Sequence, residues 1–165
     1  MPGTFVSLGN AHQLFARLID SVIAARESLP HPVIVQHGHT PCDNHALNLV
    51  AFLPPAEYEK QVLDADIVIM HAGAGSILHA IQAGKVPIVM ARLRKYREIV
   101  DDHQLEFAGA LAAEGRVLWI QDGGELETSV TEALRRQGAM SAKSTRPRLV
   151  ELVGEVLRRC ARDGL

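Results

Sequence analysis

Two patterns of apolar and polar positions alternate along this chain. Thr4 to Leu8, Val33-Ile34-Val35, Leu49 to Leu53, Ile67-Val68-Ile69-Met70, Pro87 to Met90 and Val117 to Ile120 are short uncharged runs. Most are rich in β-branched residues, as expected of strands buried on both faces. Between them the apolar positions take helical spacing. Leu14, Phe15, Leu18, Ile19, Val22 and Ile23 form one such stripe, and Ile77, Leu78 and Ile81 a shorter one closed by Ala83-Gly84. Pro55 to Leu63 is helical with proline in its first turn, where the missing N–H is harmless. His103 to Glu114, ended by Gly115, and Glu125 to Arg136 complete the helices, and Ala91 to Asp102 is a long polar loop. This order predicts an α/β fold, a Rossmann-like and mostly parallel sheet with helices on both faces.

Residues 1–137 form the predicted domain, and no internal repeat is visible. Gly138 to Pro147, rich in small and basic residues, reads as a linker to a helix over 148–165. That helix carries Leu149, Leu152, Val153, Val156, Leu157 and Cys160 on one stripe, with Arg148, Glu151, Glu155, Arg158, Arg159 and Arg162 opposite. The stripe packs either on its own sheet or on a second chain.

The most informative segment is His71-Ala72-Gly73-Ala74-Gly75-Ser76, between the fourth strand and its helix. A turn of small residues there leaves backbone N–H groups free at a helix N-terminus. Gly73 and Gly75 lack the Cβ that would hold phosphate oxygens off. The segment is not a Walker A loop, because Gly84-Lys85 is followed by Val86 rather than Ser or Thr. It is a poor nicotinamide fingerprint, which follows the first strand, where this chain has Leu8-Gly9-Asn10. The turns after strands one and four lie near the topological switch point, where ligands bind in such sheets.

Composition narrows the class further. At 165 residues and 47% hydrophobic, the chain has enough for one well-cored domain. A formal net charge of -2 argues against nucleic acid as partner, although Arg92, Arg94, Lys95 and Arg97 form a local basic run. Cys42 and Cys160 lie far apart, and Met1-Pro2-Gly3-Thr4 shows neither a basic n-region nor a long apolar segment. The expectation is a reduced, cytoplasmic protein without a membrane span. His37, His39, Cys42 and His45 offer metal-ligand chemistry, but their spacing matches no standard zinc motif and runs through a turn at Pro41.

The segment HAGAGSILHAIQAGKVPIVMAR followed by RKYREIVDDHQLEFA resembles the nucleotide-sugar half of family 28 GT-B glycosyltransferases. Phe5 to Gly9, His12 to Leu18 and Val35 to His39 extend the resemblance over most of the chain up to about Ile120. It is similar above all to split, two-subunit enzymes. These are the cytosolic catalytic subunit of the dolichol-linked N-acetylglucosaminyltransferase and the bacterial exopolysaccharide or capsule transferases for glucuronic acid or galactose. The resemblance implies one half of a GT-B fold and metal-independent transfer of a hexose from a UDP-sugar to a lipid-linked glycan, with no cofactor besides the donor. It implies that His71, Gly73, Ala74, Gly75 and Ser76 receive the diphosphate, with Gly9 facing the reacting centre. Glu98 and His103 would be catalytic, Gln104 would grip the donor, and Arg92 would add cationic help. His79 stands where the wider family often has an acidic ribose-binding residue. The implied partners are a membrane-anchored acceptor-binding subunit, which would hold the chain at the inner membrane face, and a polyprenyl-diphosphate-linked acceptor. A second copy of the chain is the alternative when it is isolated. From the residues alone, His103 after Asp101-Asp102 reads as an ordinary helix start, and Arg92 is equally a surface residue. A nucleotide-binding assembly module without turnover and a nicotinamide-dependent oxidoreductase remain the competing functions.

Overall fold

The computed structural model describes residues 2–141 together with 154, 155, 157, 158, 161 and 162. Over residues 2–141 six strands and five α-helices follow one another: β1 (Thr4–Ser7), α1 (Ala16–Ala25), β2 (Val33–Gln36), β3 (Asn48–Val50), α2 (Pro55–Asp64), β4 (Ile67–His71), α3 (Ala74–Gln82), β5 (Ile88–Met90), α4 (His103–Ala113), β6 (Leu118–Ile120) and α5 (Leu126–Ser141). Every strand pairing is parallel, in the order β3-β2-β1-β4-β5-β6. The strand order reverses between β1 and β4, where Ser7 is in register with Met70. The Rossmann-like expectation holds.

Side-chain alternation along the strands divides the core into two layers. Val6, Val35, Ile67, Ile69, Ile88 and Met90 meet Leu18, Ile19 and Val22 of α1 and Leu126, Val130 and Ala133 of α5. Phe5, Val68, Met70 and Val89 point the other way, onto Val62 of α2, Ile77, Ala80 and Ile81 of α3, and Phe107, Ala108 and Leu111 of α4. A sheet covered on both faces needs apolar residues at nearly every strand position, which is why the strand segments read as continuous runs.

The structure departs from the sequence reading in three places. Helix α1 starts at Ala16 rather than Leu14, and Leu14 is 52% exposed. Its neighbour Phe15 is buried and donates its N–H to Thr40 Oγ1 at 3.0 Å, a bond from outside the helix that fixes the chain before the first turn. Strand β3 ends at Val50, because among the described residues it is an edge strand paired with β2 alone and the chain then turns toward Pro54. Helix α5 runs through Ser141, so residues 138–141, expected to open a linker, are helical. The remainder of that linker and most of the predicted C-terminal helix lie outside the described residues; Leu157 is described and is 40% exposed.

Candidate functional site

Helix α3 begins on Gly73 with no side-chain cap. Its first internal bond runs from the Ile77 N–H to the Gly73 carbonyl at 3.0 Å. The N–H groups of the first turn, from Ala74 to Ser76, therefore have no partner within the helix. They open onto a cleft of about 410 Å³ at the C-terminal ends of β1, β2 and β4. Gly73, Gly75, Ser76 and His79 form its α3 wall, Gly9 and Asn10 the β1 side, and Leu53, Pro55 and Tyr58 the α2 side. Among the described residues its lining carries no carboxylate. Unpaired N–H groups, a helix N-terminus and the absence of acidic side chains suit an anionic ligand.

The imidazole of His71 sits in this cleft between two glycines. A Cβ on Gly9 would lie 2.5 Å from His71 Nε2, and one on Gly73 would collide with His71 Cε1. Gly9 also holds a φ of 76°, a left-handed conformation that glycine tolerates. These two glycines are therefore required by the ring itself. Gly75 differs: a Cβ there would meet nothing within 4 Å. Burial lowers the His71 pKa from 6.5 to about 4, and the Arg92 charge pushes it the same way. The ring is neutral at pH 7. Ser76 Oγ lies 3.3 Å from its Nε2 and Gln104 Nε2 lies 3.4 Å from its Nδ1.

Arg92 is placed differently from the expectation of a cationic donor contact. It is 1% exposed, and its Nη1 donates to the Gln13 and Glu98 carbonyls at 2.7 and 3.0 Å while Nη2 donates to the Leu8 carbonyl at 2.7 Å. Its guanidinium also lies 4.7 Å from the Phe15 ring centroid. Burial lowers its pKa from the usual arginine value, opposed by the Glu98 charge. Arg92 is a buried tie between the β1–α1 loop and the loop before α4, and it does not line the cleft. A guanidinium has several donors in a fixed fork, which is why arginine can serve carbonyls from separate loops at once.

The two residues expected to be catalytic are also outside the cleft. Glu98 is buried, accepting from Arg17 Nε at 3.2 Å, Arg17 Nη2 at 2.8 Å and the Leu93 N–H at 2.9 Å. It lines a wider hollow with Arg17, Asp20 and Tyr96, where its charge is already matched by Arg17. His103 has a side chain 68% exposed, with Nδ1 2.7 Å from Asp101 Oδ1. Asp101 also accepts the His103 N–H at 3.1 Å, so His103 has the contacts of an ordinary helix start. The expected assignments that do meet at the cleft are Gly9, His71, Gly73, Gly75, Ser76 and His79, with Ala74 opening α3 and Gln104 against the His71 ring.

The cleft also contains residues the sequence reading did not single out. Ser7 Oγ and Tyr58 Oη are buried and have no hydrogen-bond partner among the described residues. Gln36 is buried and accepts the Leu53 N–H at 3.3 Å. A signal existed for two of them: Ser7 and Gln36 are polar residues that follow apolar ones at the ligand-side ends of β1 and β2. Among the described residues no group of three or more His, Cys, Asp or Glu side chains converges. His37 Nδ1 donates to the Thr40 carbonyl at 2.9 Å, and His39 stacks with His12 at 4.3 Å between ring centroids. No helix among the described residues is long and apolar enough to cross a membrane.

Residues 17–152 match the family model of the glycosyltransferase family 28 C-terminal domain. The UDP-N-acetylglucosamine transferase subunit ALG13 of Mus musculus is 27% identical over 128 residues, covering 72% of this chain and 11% of the mouse protein. The subunit of the same name from Cryptococcus neoformans is 36% identical over 80 residues, 48% of this chain and 38% of its own length. The chain thus spans well under half of these relatives. Among solved structures, the glycotransferase of kitacinnamycin superposes with a TM-score of 0.60 at 17% identity, over 98% of this chain and 39% of the other. The solution structure of ALG13 gives a TM-score of 0.50 at 20% identity over 88% of both chains. At these identities the structural likeness shows the fold.

Proposed function

The chain belongs to the glycosyltransferase family 28 C-terminal domains, and from that premise we propose that it is the donor-binding, catalytic subunit of a two-component glycosyltransferase. It moves a hexose from a UDP-sugar to a lipid-linked glycan, in exopolysaccharide or related glycan synthesis. The observation that carries this reading is the uncapped N-terminus of α3 opening onto an acid-free cleft beside a neutral imidazole. As the bond from the sugar to the diphosphate breaks, negative charge grows on the departing phosphate oxygen. First-turn N–H groups and the helix dipole stabilise that charge without reorganising. Ser76 Oγ adds a further donor at the same wall.

The acceptor hydroxyl that attacks the sugar must lose a proton, and among the described residues no carboxylate lines the cleft to take it. Glu98 is held by Arg17 and the Leu93 N–H, and His103 lies outside the cleft. The membrane-anchored acceptor-binding subunit brings the polyprenyl-diphosphate-linked acceptor, and the base is either a side chain of that subunit or a cleft imidazole such as His79. The ALG13 relatives are described as transferase subunits, which supports a divided enzyme. This chain would then sit at the cytoplasmic membrane face through that partner.

A panel of UDP-sugars titrated calorimetrically, followed by a transfer assay with the co-purified partner, tests the reading. One UDP-sugar should bind and be consumed only by the pair. Binding without turnover by the pair would favour a nucleotide-binding assembly module, and binding of NADH in preference to UDP-sugars would favour an oxidoreductase.

A further inference from the structure

We propose that Gln104 is a positioning residue that holds His71 as the tautomer with its proton on Nε2, directed at Ser76 and the cleft; this rests on the donor-site reading above only for what the proton is used for. The direction of the Gln104 amide follows from an unambiguous donor. Its Oε1 accepts the Arg92 backbone N–H at 3.2 Å, and turning the amide over would set its NH₂ against that N–H. The NH₂ therefore faces His71, 3.4 Å from Nδ1. An amide nitrogen only donates, so Nδ1 must accept, and a neutral ring with a bare Nδ1 carries its hydrogen on Nε2. That nitrogen faces Ser76 Oγ at 3.3 Å, on the cleft side.

The arrangement leaves the ring little freedom to turn. Gly9 and Gly73 crowd its Nε2–Cε1 edge. The Arg92 N–H that orients Gln104 is itself fixed, because its guanidinium ties the Leu8, Gln13 and Glu98 carbonyls. The chain of donors runs from Arg92 through Gln104 and His71 to Ser76, and it ends where α3 presents its free N–H groups. With Nε2 as a donor, the imidazole adds one more hydrogen bond toward a phosphate oxygen; with Nε2 bare it would repel that oxygen. Family resemblance alone would put Gln104 on the donor sugar, whereas the contacts here put it behind the histidine.

The test is the ring nitrogen spectrum of the full chain labelled with ¹⁵N-histidine at pH 7, before and after adding UDP. Wild type should show a protonated Nε2 and an unprotonated Nδ1 for His71. Gln104→Glu, which offers an acceptor to Nδ1, should move a proton onto Nδ1; Gln104→Leu should leave a mixture of the two tautomers. UDP affinity should fall only about twofold in the Leu variant, because an even mixture still offers the Nε2–H form to the ligand, and further in the Glu variant, whose Nε2 is bare. A wild-type ring protonated on Nδ1, or tautomers unchanged in both variants, overturns the proposal. Should UDP fail to bind wild type while the tautomers respond as stated, the positioning role stands and the donor reading falls.

Discussion

Replacing Gly75 with valine separates ligand binding from folding. Gly75 lies in the first turn of α3, exposed, with a Cβ position that meets nothing within 4 Å. It is not among the glycines with positive φ, so no backbone strain follows. Glycine in a helix costs about 1 kcal/mol relative to alanine and valine roughly half of that, so Gly75→Val should be neutral or slightly stabilising. The bound state is affected differently. Helical Cα–Cβ bonds tilt toward the N-terminus, so the new methyl groups stand over the first-turn N–H groups, where phosphate oxygens must approach. Losing one hydrogen bond to a charged oxygen costs about 1.5–3 kcal/mol, which is roughly a ten- to hundredfold weaker Kd. Calorimetry with UDP, paired with a thermal melt of each protein, reads both effects. An unchanged UDP affinity in a variant whose Tm is unchanged or raised would refute the diphosphate assignment. A large fall in Tm would refute the claim that this position is open.

Three further outcomes follow from the same contacts. Glu98→Ala leaves Arg17 without its partner and the Leu93 N–H without an acceptor, and should cost about 2 kcal/mol in urea unfolding; a loss of turnover at full stability would return Glu98 to chemistry. Arg92→Met should cost about 3 kcal/mol or more, because the Leu8, Gln13 and Glu98 carbonyls lose their donors together, and a stable variant would contradict its role as a tie. His71 has its folded pKa lowered from 6.5 to about 4, so the unfolded state binds the extra proton first. Stability is full above pH 6.5 and falls as pH drops from there toward 4, by at most about 3 kcal/mol and less where solvent reaches the ring; His71→Gln should flatten that part of the profile, and an unaltered slope would place the titration elsewhere.

The layered fold was legible because burial on both faces forces continuous apolar strands, and Ile67 to Met70 or Val33 to Val35 leave little else to form. The turn at Gly73 was legible for a related reason, since small residues between a strand and a helix open backbone N–H groups. What the sequence could not separate were residues of one type with different burial. Arg92, Arg94, Lys95 and Arg97 read as one basic run, yet Arg92 follows β5 into the interior while Arg94, Lys95 and Arg97 are exposed. Glu98 read as a polar loop residue because its partner Arg17 is 81 positions away. Leu14 fitted the helical stripe by spacing, but the contact that decides where α1 begins comes from Thr40. The glycines of the cleft were read as room for phosphate, and Gly9 and Gly73 are first of all room for His71.

The donor-site proposal stands or falls on whether the free N–H groups opening α3 receive the diphosphate of a UDP-sugar. Titrating UDP into the ¹⁵N-labelled chain while following backbone amides tests it most directly. Ala74, Gly75 and Ser76 should shift most, together with Gly9 and Gly73, while the amides of Tyr96 and Gly123 around the wider hollow stay in place. The proposal is contradicted if UDP saturates the protein without moving the amides of residues 74–76, or if its largest shifts fall around Tyr96 and Gly123.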